Sequence, residues 1–71
     1  MKPSFLILQY LRTAQSTPQA IADLLDWSLE DVETRLSQLR ANKCVSRHID
    51  YLTYYRITSE GRAHLRQLSV L

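Results

Sequence analysis

The stretch Thr17-Pro18-Gln19-Ala20-Ile21-Ala22-Asp23-Leu24-Leu25-Asp26-Trp27-Ser28-Leu29-Glu30-Asp31-Val32 decides how this chain is built. It reads as two helices joined by almost nothing. Thr17 can cap the first, because its hydroxyl reaches an amide that the opening turn leaves unpaired. Pro18 falls in the first turn, where a missing N–H costs no bond. Ile21, Leu24 and Leu25 supply the side expected to be buried. Asp26-Trp27 is the whole connection. Ser28 then caps a second helix, and Asp31, three residues on, is placed to return the bond as a weaker capping box.

Downstream, Leu29, Val32, Leu36 and Leu39 keep one helix face apolar to about Ala41. The period changes after Asn42-Lys43. Cys44 to Ile49 and Thr53 to Ile57 are rich in β-branched and aromatic residues and read as strands, with Asp50-Tyr51-Leu52 between them. Thr58 caps a last helix whose inner side carries Gly61, Leu65 and Leu68. Upstream, Ile7, Leu8 and Leu11, with Tyr10 and Ala14, have helical spacing behind Pro3-Ser4. Phe5 and Leu6 carry the apolar surface further round that helix than one core requires, which suggests a self-association face. The order is helix, helix, helix, hairpin, helix, expected as a single domain over 1–71. Its paired helices fall at about 17–41, the hairpin at about 44–57 and the last helix at about 58–69.

The bulk numbers bound the rest. Seventy-one residues lie near the lower size at which one core suffices. A chain 45% apolar and 23% charged, with one glycine, is compact and mostly helical. A core this small leaves no room for a deep catalytic cleft, and nothing here resembles a nucleophile–base pair, so an enzyme is not expected. Cys44 is the single cysteine and has no disulfide partner. Cys44-x₃-His48, with His64 distant, falls short of the three or four ligands a metal needs. Neither metal nor cofactor is expected, and Cys44 reads as a small buried apolar residue. The apolar run Phe5–Leu8 is far too short for a bilayer and precedes no cleavage site, so the expectation is a cytoplasmic protein with no membrane partner.

Net charge is only +2, but it is unevenly spread. Residues 1–34 set Lys2 and Arg12 against Asp23, Asp26, Glu30, Asp31 and Glu33, a balance of −3. Residues 35–71 set seven basic residues against Asp50 and Glu60, a balance of +5. Any binding to a polyanion is expected to be led by the second half.

Three segments carry a resemblance. Ile21-Ala22-Asp23-Leu24-Leu25-Asp26-Trp27-Ser28 with Val32 and Leu36 resembles the helix-turn-helix segment of bacterial regulators. Leu39 with Cys44-Val45-Ser46-Arg47 is similar to the entry of the wing in such proteins. Tyr54-Tyr55-Arg56-Ile57-Thr58-Ser59-Glu60-Gly61-Arg62 resembles the wing exit common in the multiple-antibiotic-resistance and phenolic-acid regulator types. Together they span roughly residues 7–68. The resemblance implies a winged helix-turn-helix, mainly α with a small β-hairpin, in a DNA-binding transcriptional regulator of bacterial or phage type. It departs from the pattern at Asp26 and Lys43, where glycine is usual. Asp tolerates a left-handed backbone, and Asn42 can absorb the second departure by a one-residue shift.

In such proteins the third helix enters the major groove of double-stranded DNA. Its outer side here is expected to carry Glu30, Thr34, Ser37, Gln38 and Ala41, with Arg35 and Arg40 on the flanks. The expected DNA contacts are therefore Ser28, Thr34, Arg35, Ser37, Gln38 and Arg40, with Lys43, Arg47, His48 and Arg56 from the wing. Thr34, Ser37 and Gln38 are equally ordinary solvated residues, and Arg47 can instead brace the wing. The expected assembly is a homodimer on a two-fold-related site. Against DNA stand Glu30, Asp31 and Glu33 at the start of the reading helix, although acidic residues there also complement the helix dipole. They support a second expectation, a protein-interaction module docking a partner through Glu30, Glu33, Phe5 and the apolar wing tip at Tyr51 and Leu52. Tyr51 and Leu52 either meet that partner or fold back on the domain.

Overall fold

A computed structural model describes residues 3–69. Helices α1 (Pro3–Leu11), α2 (Pro18–Leu25) and α3 (Leu29–Ala41) are followed by strands β1 (Val45–Ile49) and β2 (Thr53–Ile57) and by α4 (Ser59–Ser69). This is the expected winged helix-turn-helix order, mainly helical with one antiparallel hairpin.

The caps form as the residue types dictate. Thr17 is extended, and its hydroxyl accepts from the Ala20 N–H at 3.2 Å. Ser28 does the same for the Asp31 N–H at 3.1 Å. The reciprocal bond expected from the Asp31 carboxylate is not formed, so the box is half closed. Thr58 accepts from the Gly61 N–H at 3.1 Å.

Both helices of the pair end alike. Trp27 N–H bonds Ala22 O at 3.0 Å across left-handed Asp26 (φ 57). Cys44 N–H bonds Leu39 O at 2.8 Å, and Lys43 N–H bonds Arg40 O at 3.0 Å, across left-handed Lys43 (φ 64). The second set is a Schellman motif, which requires the residue after the cap to be left-handed. Asn42 keeps a negative φ of −88, so it does not absorb the departure as expected. Lys43 bears it because the six-to-one bond from Cys44 fixes which residue must turn.

The core gathers Ile7, Leu8 and Leu11 of α1, Ile21 and Ala22 of α2, and Val32, Leu36 and Leu39 of α3. Cys44, Val45, Tyr55 and Leu65 complete it, and Trp27, Ile57, Tyr10 and Leu25 pack against its margin. Two expected core leucines lie outside. Leu24 is 57% exposed, because the turn of α2 that buries Ile21 and Ala22 rotates Leu24 to the far side. Leu29, the first residue of α3, is 39% exposed. Ala14 lies beyond the end of α1 and is exposed. Phe5 and Leu6 are half-buried, and Phe5 packs against the core, so the surplus apolar face is smaller than expected. Gly61 and Leu65 face inward as expected, while the Leu68 side chain lies outside the described residues.

One element escapes a reading by pattern. Ser16, in the α1–α2 connection, exchanges both backbone bonds with Tyr55, at 3.1 and 2.7 Å. This single-residue bridge ties β2 to the helices on the edge away from β1, and makes β2 the middle of a minimal three-stranded arrangement.

Candidate functional site

Helix α3 presents Glu30, Glu33, Thr34, Ser37, Gln38, Arg40 and Ala41 to solvent, as the burial of Val32, Leu36 and Leu39 requires. Several of these positions are already engaged inside the domain. The Thr34 hydroxyl donates to Glu30 O at 3.0 Å. The Ser28 hydroxyl is used by the cap. Arg35 is half-buried with its guanidinium 5.8 Å from the Trp27 ring, a cation–π contact across the helix pair. Ser37, Gln38 and Arg40 remain uncommitted among the described residues. Gln38 also borders a cleft of about 530 Å³ between α3 and α4, shared with Asn42, Glu60 and His64.

The hairpin register decides where the wing cations point. Arg47 pairs with Tyr55 and His48 with Tyr54, while Arg56 pairs with Ser46. Paired residues share a face and neighbours alternate, so Arg47 lies on the Val45–Tyr55 face and Arg56 on the opposite one. The structure therefore separates the two arginines that the sequence placed together. Both are exposed. Arg47 stands on β1, the strand that packs on α3. Arg56 instead lines a groove with Arg12, Gln15 and Arg62. His48 stacks on Tyr54 at 5.3 Å, and its Nε2 is 2.9 Å from the Ser46 hydroxyl, so its ring is fixed to the outer face. Lys43 has an exposed side chain on a backbone whose carbonyl accepts from the Thr58 hydroxyl at 2.5 Å.

The wing tip does not fold back. Ile49 is 69%, Tyr51 99% and Leu52 66% exposed, and Asp50 N–H bonds Leu52 O across the tip at 3.1 Å. Cys44 is buried beneath the wing root. Desolvation, then the Glu60 charge, raise its thiol pKa above the ordinary value. Among the described residues no His, Cys, Asp and Glu group is arranged to hold a metal, and no helix is long and apolar enough to cross a membrane.

Sequence reasoning missed one cationic cluster. Arg12, Arg62 and Arg66 line a cleft of about 300 Å³ between α1 and α4 with Phe5, Gln9 and Leu65. Arg12 and Arg62 also line the adjoining groove with Arg56. The signal was present as Arg62 and Arg66 one helical turn apart, but Arg12 joins them only through the α1–α4 packing. The order and packing of these elements make the fold a winged helix-turn-helix. No protein-family profile and no curated protein sequence matches the chain.

Proposed function

We propose that this chain is a sequence-specific regulator that binds double-stranded DNA, with α3 in the major groove and the hairpin on the backbone. The observation that carries the reading is the uncommitted polar side of α3. Ser37, Gln38 and Arg40 face solvent on the second helix of a helix-turn-helix, and Lys43 and Arg47 follow on the adjoining turn and strand. Gln38 has the amide that can pair with adenine, and Arg40, Lys43 and Arg47 are available to phosphates. Two copies on adjacent half-sites belong to this reading. Glu30, Asp31 and Glu33 oppose it at the mouth of the groove, so basic contacts must supply the affinity.

Fluorescence anisotropy with a labelled random duplex tests the proposal. Three phosphate contacts give a slope of roughly −3 for log K against log salt. Arg47→Glu should weaken binding more than Thr34→Ala, whose hydroxyl already serves the Glu30 carbonyl. Arg56→Glu should have the smaller effect of the two wing reversals, because it lies on the other face. Absence of binding to any duplex at low salt refutes the reading.

The exposed wing tip favours a second reading, a winged-helix module that docks a protein partner. Ile49, Tyr51 and Leu52 offer exposed apolar side chains close together in the sequence. A partner retained by the intact chain and lost on Tyr51→Ser and Leu52→Ser would put this reading first.

A further inference from the structure

The α1–α4 cleft has an unusual combination of features. Its floor is apolar, with half-buried Phe5 and buried Leu65, and its rim is cationic, with Arg12, Arg62 and Arg66. Among the described residues, no carboxylate lines it or the adjoining groove of Arg56. At about 300 Å³ it stands at the small end of ligand sites, enough for one or two side chains. An occupant must bring an apolar group flanked by negative charge.

The chain carries that complement on its opposite, acidic half. Leu24 is 57% exposed on α2, between Asp23 and Asp26, and Leu29 is 39% exposed at the start of α3, before Glu30 and Glu33. All four carboxylate residues are exposed. Arg35 is the cation beside them, and it is occupied on the Trp27 ring.

We propose that a second copy of this chain docks its α2–α3 corner into the α1–α4 cleft, Leu24 against Phe5 and the flanking carboxylates on Arg12 and Arg62. The contact is head-to-tail. A two-fold contact through the same cleft would set Arg12 and Arg62 against their own copies, and like charges across an interface are costly. A head-to-tail pair keeps one free cleft and one free corner, so further copies can add, as a chain or, where the rotation closes, as a ring. Charge pairs near solvent are screened, so it weakens as salt rises. The inference stands apart from the DNA reading, since it is measured without nucleic acid.

Complementation of two defective variants tests it by sedimentation velocity. The wild type should grow in mean mass with concentration at low salt and less at high salt. Arg12→Glu/Arg62→Glu destroys the cleft and Leu24→Lys/Glu30→Lys destroys the corner, each raising the self-association Kd at least about tenfold. Mixed together, they should form one-to-one heterodimers and nothing larger, because only one productive pair of surfaces survives. All four positions are exposed, and circular dichroism confirms that the variants fold. A wild type that stays monomeric at every concentration overturns the proposal. So does either variant associating like the wild type, or a mixture in which both remain monomeric.

Discussion

Gly61→Ala tests the joint between the wing root and α4. In an ordinary helix the change is favourable, by at most about 1 kcal/mol in propensity. Here an added Cβ would stand 2.8 Å from Ile57 Cγ1, 3.1 Å from the Cys44 carbonyl carbon, and closer still to the Cys44 oxygen. The obstruction is backbone, so it cannot rotate away. Relief needs α4 to retreat by about 1 Å, an overpacking cost of about 1–3 kcal/mol. That retreat stretches the Thr58 N–H bond to the same Cys44 oxygen, now 3.0 Å, and the Thr58 hydroxyl bond to Lys43 O. Stretching the two bonds adds about 1 kcal/mol in all, since neither is lost outright. Set against the propensity gain, the net loss is roughly 1–3 kcal/mol, or a fall of roughly 5–20 °C in Tm for a domain of this size. Thermal denaturation followed by circular dichroism reads it directly. Ala63→Gly, at an exposed position of the same helix, is the control and should cost about 1 kcal/mol through propensity alone. A Gly61→Ala protein that melts above the wild type refutes the close approach.

The left-handed residues give an ordered pair: Lys43→Gly should stabilise by up to about 1 kcal/mol and Asp26→Gly by less, since Asp tolerates that backbone better. A Lys43→Gly protein no more stable than the wild type in urea denaturation would show that Lys43 is not strained. Leu36→Ala should cost about 2–5 kcal/mol as a fully buried truncation. Leu24→Ala, on an exposed site, should stay within about 0.5 kcal/mol, judged by the same urea midpoints on dilute protein. The folded chain holds the Cys44 proton more tightly than the unfolded chain, first through desolvation and then through Glu60. Its contribution is therefore complete below the ordinary thiol pKa of 9.0 and lost as pH rises through the raised value. Cys44→Ala should make the alkaline decline in stability shallower, and an unchanged decline would assign it to other groups.

The elements were legible because their punctuation is local. Thr17, Ser28 and Thr58 each cap the helix they precede, using bonds that span three residues. The misplacements arise where a side chain's fate depends on what lies opposite. Ile21, Leu24 and Leu25 fit two adjacent helical stripes, and only the packing of α3 and β2 on α2 chooses the one containing Ala22. Ser16 forms its bridge alone, so no alternation announces it. The separation of Arg47 from Arg56 follows from the hairpin register by parity. With Val45 and Tyr55 both inward, Arg47 shares their face and Arg56 does not, a deduction the sequence already permitted.

The three segments that carry the family resemblance explain why fold was easier to read than site. Ser28 caps α3, the Cys44 N–H donates to Leu39 O to close it, and the Thr58 hydroxyl donates to Lys43 O while accepting from the Gly61 N–H. Gly61 is needed because the Cys44 carbonyl occupies the space of its missing side chain. Each of these residues holds one element against another, and none needs to touch a ligand to account for its type. Of the residues proposed to read DNA, Ser37, Gln38 and Arg40 lie outside those segments and have no such internal duty. A motif composed of joints identifies an architecture, and it is the side chains outside the motif that must be mutated to learn what the architecture holds.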